Sequence, residues 1–128
     1  MSDYAKVNLR EVEDMATKFG ITGLEARFPK RELGSTTGAV SLQRLAPNMR
    51  QPFGHRHAEQ EEHYVVLEGS GRIMVDGEVV EVRAWDVVRF AAPVMRAVEA
   101  GPEGLEFLAF GAPLAERQDV ENVEGWWG

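Results

Sequence analysis

Residues 52–71 read Pro-Phe-Gly-His-Arg-His-Ala-Glu-Gln-Glu-Glu-His-Tyr-Val-Val-Leu-Glu-Gly-Ser-Gly. In a strand, alternate side chains share a face, so His55 and His57 can offer two imidazoles to one point. Glu62 lies an odd number of residues beyond His57, and an unbroken strand would aim it at the opposite face. Ala58-Glu59-Gln60 must therefore turn or bulge, after which a second strand can bring Glu62 back. Two imidazoles and a carboxylate with positions left open suit a divalent first-row ion, and ligand type alone leaves iron, manganese, nickel and zinc open. Such an ion could polarise a substrate oxygen or hold dioxygen. A His-x-His taken by itself is more often a pair of ordinary surface residues.

Working outward, the chain alternates in the manner of strands. His63 to Glu68 is rich in strand formers, Gly69-Ser70-Gly71 reads as a turn, Arg72 to Val75 as a further strand, and Asp76-Gly77 as a two-residue hairpin. Glu78 to Arg83, Asp86 to Phe90, Val94 to Glu99 and Leu105 to Phe110 follow, separated by Ala84-Trp85, Ala91-Ala92-Pro93 and Gly101-Pro102-Glu103-Gly104. Short strands between Gly and Pro breaks predict an antiparallel sandwich or barrel, which limits exposed edges. Upstream, Val40, Leu42 and Leu45 form an extended run that Pro47 and Asn48 end. Asn8 with Glu11 makes a capping-box pattern, Leu9, Val12, Ala16 and Phe19 recur at helical spacing, and Gly20 ends the run, so a short N-terminal helix is expected.

The spacing His-x-His, four residues, Glu, six residues, Gly is met by His55, His57, Glu62 and Gly69, and it resembles the first conserved motif of the cupin superfamily. The resemblance runs from Gly38 to Ala112. It implies an all-β fold, a jelly-roll-like antiparallel β-barrel, with His55, His57 and Glu62 as metal ligands and with a homodimer as the common assembly. It also chooses Glu62 over Glu61. The chain then divides into 1–37, the helix and a lead-in strand; 38–112, the barrel; and 113–128, a tail packing on it, the whole making one domain. The tail is acidic and ends in Trp126 and Trp127, which are expected to pin it by buried area, with a lid over the barrel mouth as the alternative.

The second cupin motif is altered. Aligned on Asp86, the chain has Trp85, Ala91 and Pro93 at the positions of the motif's Gly, Pro and Gly, and Arg96 replaces the fourth ligand, a histidine. By strand parity Arg96 shares a face with Val94 and Val98 and points inward. It can receive a substrate carboxylate or phosphate bidentately beside the ion, or it can pair with Glu62 in a metal-free barrel. Tyr64 shares the face of Glu62 and is the other candidate for substrate binding, against a packing role. His63 takes the opposite face, as a surface or inter-sheet residue. Arg27, Lys30 and Arg31 read as a solvated basic loop.

Composition narrows the partners. No cysteine means no thiol chemistry and no thiolate-bound metal. A net charge of −7 argues against nucleic acid, and the opening residues lack the apolar run of a signal peptide or a membrane span, so a cytoplasmic protein is expected. The function expected is a metal-binding cupin of dioxygenase, isomerase or decarboxylase type acting on a small anionic metabolite. The alternative is a non-catalytic small-molecule-binding barrel without metal.

Overall fold

The computed structural model describes residues 3–115 and 117–127. The described residues contain no helix long and apolar enough to cross a membrane. The expected N-terminal helix is broken into a 3-10 turn, Leu9–Glu11, and a short helix α1, Met15–Lys18. The break falls where a second capping residue intervenes. Asp14 accepts from Ala16 N (3.0 Å) and the Thr17 hydroxyl (2.7 Å), and also from Ala26 N (2.9 Å) in the next strand, so tertiary contact favours a fresh start over a continuous helix. Val12 and Ala16 are the buried residues of this segment.

Strand β1 is Leu24–Arg27, helix α2 Lys30–Leu33, β2 Ala39–Leu45, β3 Phe53–His57 and β4 Glu61–Val75. Strand β5 is Glu78–Arg83, β6 Val87–Phe90, β7 Arg96–Ala112 and β8 Val120–Glu124. They form one curled antiparallel sheet in the order β1-β2-β7-β3-β8, with β4 joining β7 to β5 and β6. The core inside the curl is Leu45, Tyr64, Val66, Ile73, Val82, Phe90, Val98, Ala100, Leu105, Phe107 and Ala109. The expected basic loop does not exist as such: Arg27 lies in β1, bonded to Glu25 (2.6 Å) and to the Val12 carbonyl, and Lys30 opens α2.

Two expected breaks turn out to be kinks within long strands. Gly69-Ser70-Gly71 is not a turn but an irregularity inside β4, and Gly101 to Gly104 is an excursion inside β7 that faces it. Glycine is required there because the backbones meet: a Cβ on Gly69, at φ +83°, would lie 2.0 Å from the Gly104 carbonyl oxygen. The kinks also reverse parity. In β4 the core side chains are Tyr64 and Val66 before the kink and Ile73 after it; in β7 they are Val98 and Ala100 before and Leu105, Phe107 and Ala109 after. The inner face thus stays apolar around the bend. At Asp76-Gly77 the hairpin forms as expected, with φ 43° and 83°.

The tail is more than a packed terminus. Strand β8 pairs antiparallel with β3, from Phe53↔Glu124 to His57↔Val120. Trp126 donates from Nε1 to the Met74 carbonyl (3.1 Å) and sits where a Cβ on Gly54 would lie 2.6 Å from its ring.

Gly69→Ala should cost about 2–4 kcal/mol in denaturant unfolding, from an unfavourable φ together with a backbone clash. Gly77→Ala, which has the same φ and open space around it, should cost only about 1 kcal/mol. Equal losses would mean that the approach of the two backbones is not what demands glycine at Gly69.

Candidate metal centre

The three donors named above come together. His55 and His57 both lie in β3, the turn at Ala58–Gln60 reverses the chain, and Glu62 follows as the second residue of β4. The Glu62 carboxylate oxygen Oε1 lies 3.3 Å from His55 Nε2 and 3.4 Å from His57 Nε2, and one donor atom from each residue falls within 4.8 Å of the others. The imidazoles meet edge to face with centroids 5.4 Å apart. Glu61 faces outward instead and bonds Arg89 (2.7 Å), as strand parity requires. His63 is half-buried on that outer face, between Arg89 and Phe110 in register.

Arg96 stands opposite His55 in the β3–β7 pairing and is wholly buried, at 0% exposure. One guanidinium nitrogen donates to Glu62 Oε1 and another to the Val94 carbonyl (2.9 Å), while the plane lies 4.8 Å from the Phe90 ring centre. Its Nε has no partner among the described residues. Inward pointing is therefore correct, and so is the pairing with Glu62. Neither Arg96 nor Tyr64, the two candidates for substrate binding, is among the residues lining the cavity. Tyr64, 2% exposed, packs against Phe90 and Phe107 at 4.8 and 4.7 Å, and burial pushes its hydroxyl pKa up.

The charge states suit a cation. Burial opposes ionisation of Glu62, but the neighbouring imidazoles and the Arg96 charge overcome it and hold the carboxyl well below the usual range. Burial lowers the pKa of His55, and Arg96 adds to the effect, so the ring is neutral at physiological pH with a lone pair to offer. Donor spacing agrees as well. Two ligands each about 2.1 Å from one ion stand about 3.0–3.4 Å apart at right or tetrahedral angles, the range in which the Glu62–His separations fall. The residues fit a divalent ion held by two nitrogens and one oxygen.

The donors form the floor of a cavity of about 410 Å³. Phe28, Phe53, Leu114 and Val120 make apolar walls, Gln51 and Gln60 add amides, and Lys30 stands at the rim as the one cation among its lining residues. Asp119 is the residue that sequence reasoning passed over: its Oδ2 lies 2.8 Å from His57 Nδ1, although 62 positions separate the two. Nothing in an acidic tail marks one carboxylate as the partner of a distant histidine. Burial works against ionisation of Asp119, but the Glu59 N–H and His57 outweigh it and hold the carboxyl below its ordinary value.

A cupin domain family model matches residues 41–110. The chain belongs to the cupin family. Among curated proteins, this cupin is 39% identical over 67 residues to dimethylsulfoniopropionate lyase DddW of Ruegeria pomeroyi, a match covering 52% of the chain and 43% of that relative. The cupin thus spans less than half the length of the curated relative it matches. Among solved structures, it resembles a cupin protein of Bacteroides fragilis at 25% identity and a TM-score of 0.73, over 93% of this chain and 95% of that one. It also resembles Streptomyces PAC13 with uridine (18% identity, TM-score 0.76, 93% and 90% coverage). Bacillus subtilis oxalate decarboxylase shares the fold at 21% identity and a TM-score of 0.80, with 96% of this chain matching 33% of that one.

Removing one partner of the buried Arg96–Glu62 pair leaves an uncompensated charge. Arg96→Met in chelator-treated protein should lose about 3–5 kcal/mol of unfolding free energy, whereas Arg89→Met, which breaks the exposed pair with Glu61, should stay within about 1 kcal/mol. Comparable losses in the two variants would show that the buried pair is not a strong interaction.

Proposed function

We propose that this cupin holds a divalent first-row ion with His55, His57 and Glu62 and presents it to a small anionic metabolite in the cavity above. The observation that carries the reading is a two-nitrogen, one-oxygen donor set, with Glu62 Oε1 within 3.4 Å of both imidazoles, lining a concave apolar site. When bound, the ion would supply Lewis acidity toward a substrate oxygen. The chain's own residues do the rest. Arg96 holds Glu62 in the orientation that faces both imidazoles, the walls exclude water from the bound molecule, and Lys30 offers the rim charge that an anionic group would meet. The role first given to Arg96 thus passes to Lys30, and Arg96 becomes a support for a ligand. The curated relative is named for a small carboxylate, dimethylsulfoniopropionate, which is compatible with such a substrate class.

One observation favours a second reading. Arg96 donates to the same carboxylate oxygen that faces the imidazoles, so its charge offsets that of Glu62 without any ion. In that case the barrel is a metal-free binding module for the same class of ligand. The homodimer expected from the family is supported by unpaired outer edges on β5 and β6, where Val79, Val80 and Val87 are exposed.

Calorimetric titration of metal-free protein with iron(II), manganese, nickel and zinc separates the readings. The metal reading expects one ion per chain, loss of binding in His55→Ala and His57→Ala, and at least tenfold weakening in Glu62→Gln but not in Glu61→Gln. Absence of binding in the wild type, with gain of binding in Arg96→His, would establish the metal-free module instead. Lys30→Glu should weaken binding of a carboxylate probe such as propionate about tenfold; unchanged affinity would overturn the role given to the rim charge.

A further inference from the structure

We propose that Asp119 is the positioning residue of the site and that β8, which it introduces, clamps the histidine-bearing strand. Strand β3 is weakly held from the β7 side, where its register is limited to His55↔Arg96. Along its other edge it pairs with β8 over its whole length. The clamp is fastened at both ends. At the far end Trp126 lies on Gly54 and bonds the Met74 carbonyl, and the Trp127 ring stands 4.9 Å from the Arg50 guanidinium. At the near end stands Asp119.

The chemistry of Asp119 is specific to a carboxylate. Its Oδ1 accepts from Ala58 N (2.9 Å) and Glu59 N (2.7 Å), the turn that sends the chain from His57 toward Glu62. Its Oδ2 accepts from His57 Nδ1 (2.8 Å). The two backbone partners are fixed donors, so Oδ1 must be an acceptor. An ionised carboxylate also offers an acceptor to His57, whereas an amide in the same orientation would present its NH2 group to Nδ1 and favour the Nε2–H form. Because an ionised Asp119 can only accept, it selects the Nδ1–H tautomer of a neutral His57, in which Nε2 is left as a lone pair. That lone pair faces Glu62 Oε1 at 3.4 Å. Two acceptors at this distance repel unless a cation or a second proton lies between them, so Asp119 orients His57 for a cation. One carboxylate thus sets the tautomer of one ligand and the turn leading to another. The metal-affinity consequence rests on the metal reading above; the tautomer does not.

Two-bond proton–nitrogen correlations of the histidine rings in metal-free protein read the tautomer directly. Wild type should give His57 as the Nδ1–H form, and Asp119→Asn should give a mixture or the Nε2–H form. In the same variant, zinc or manganese affinity should fall 10–100-fold. Glu121→Gln, which removes the Arg56 contact from the same strand, should leave both readouts unchanged; movement of both by the same amount would reduce Asp119 to a general support of β8. A His57 that keeps the Nδ1–H form in Asp119→Asn would overturn the proposal. Should that variant not fold, an Nε2–H form of His57 in the wild type would overturn it equally. Failure of the wild type to bind any metal would remove the metal function while the tautomer comparison still decides the role of Asp119.

Discussion

The pairing of β4 with β7 is the constraint on which the rest depends. The two strands run side by side from Glu61↔Ala112 to Val75↔Arg96, and β2, β3, β5 and β6 each attach to one of them. Both strands bend at the same place, Gly69–Gly71 against Gly101–Gly104, so the sheet curls while the ladder resumes on either side of the bend. A flat version of the same pairing would leave the core residues of the two halves on opposite faces, because the inward parity of each strand changes at the bend. The curl also delivers the site. It sets Glu62 and Arg96 beside each other although they belong to opposite ends of the β4–β7 ladder.

Charge at the floor of the barrel is costly, and the arrangement of neighbours explains how it is borne. Arg96 has no solvent contact, so its retention needs a partner of opposite sign; Glu62 supplies one. The carbonyl of Val94 and the face of Phe90 take up further parts of the guanidinium. Well-packed apolar side chains in place of both Arg96 and Glu62 would be at least as stable by the same reasoning, so the pair is better understood as organising Glu62 than as strengthening the fold.

Much of this was readable in advance wherever the reading depends on near neighbours in the chain. The shared face of His55 and His57, the inward direction of Arg96 and the hairpin at Asp76-Gly77 follow from a period of two or from a turn type, while the choice of Glu62 over Glu61 came from the resemblance to the first cupin motif. What escaped is non-local. Glycines at Gly69 and Gly71 look identical whether they make a turn or admit another backbone, and only the position of Gly104 distinguishes the two. The helix from Asn8 to Phe19 failed because Asp14 found an acceptor's role toward Ala26, on a strand still to come. The tail was read as packing, since pairing between β8 and β3 leaves no mark in either segment alone. For the same reason Arg96 was left between a ligand anion and Glu62: parity gives the face of a strand, not the depth of a side chain on it.

The partnership of β3 with β8 also orders events in time. Local hairpins such as β4–β5 close over a short loop and can form early, while β3 must wait for segments far along the chain. His57 finds Asp119 across 62 positions and Glu62 finds Arg96 across 34, so the corner that holds the candidate donors is assembled from long-range contacts. During refolding, the orientation of His57 should therefore wait for β8 to dock. A chain interrupted before β8 would present a nearly finished barrel whose two imidazoles had not yet acquired a fixed direction.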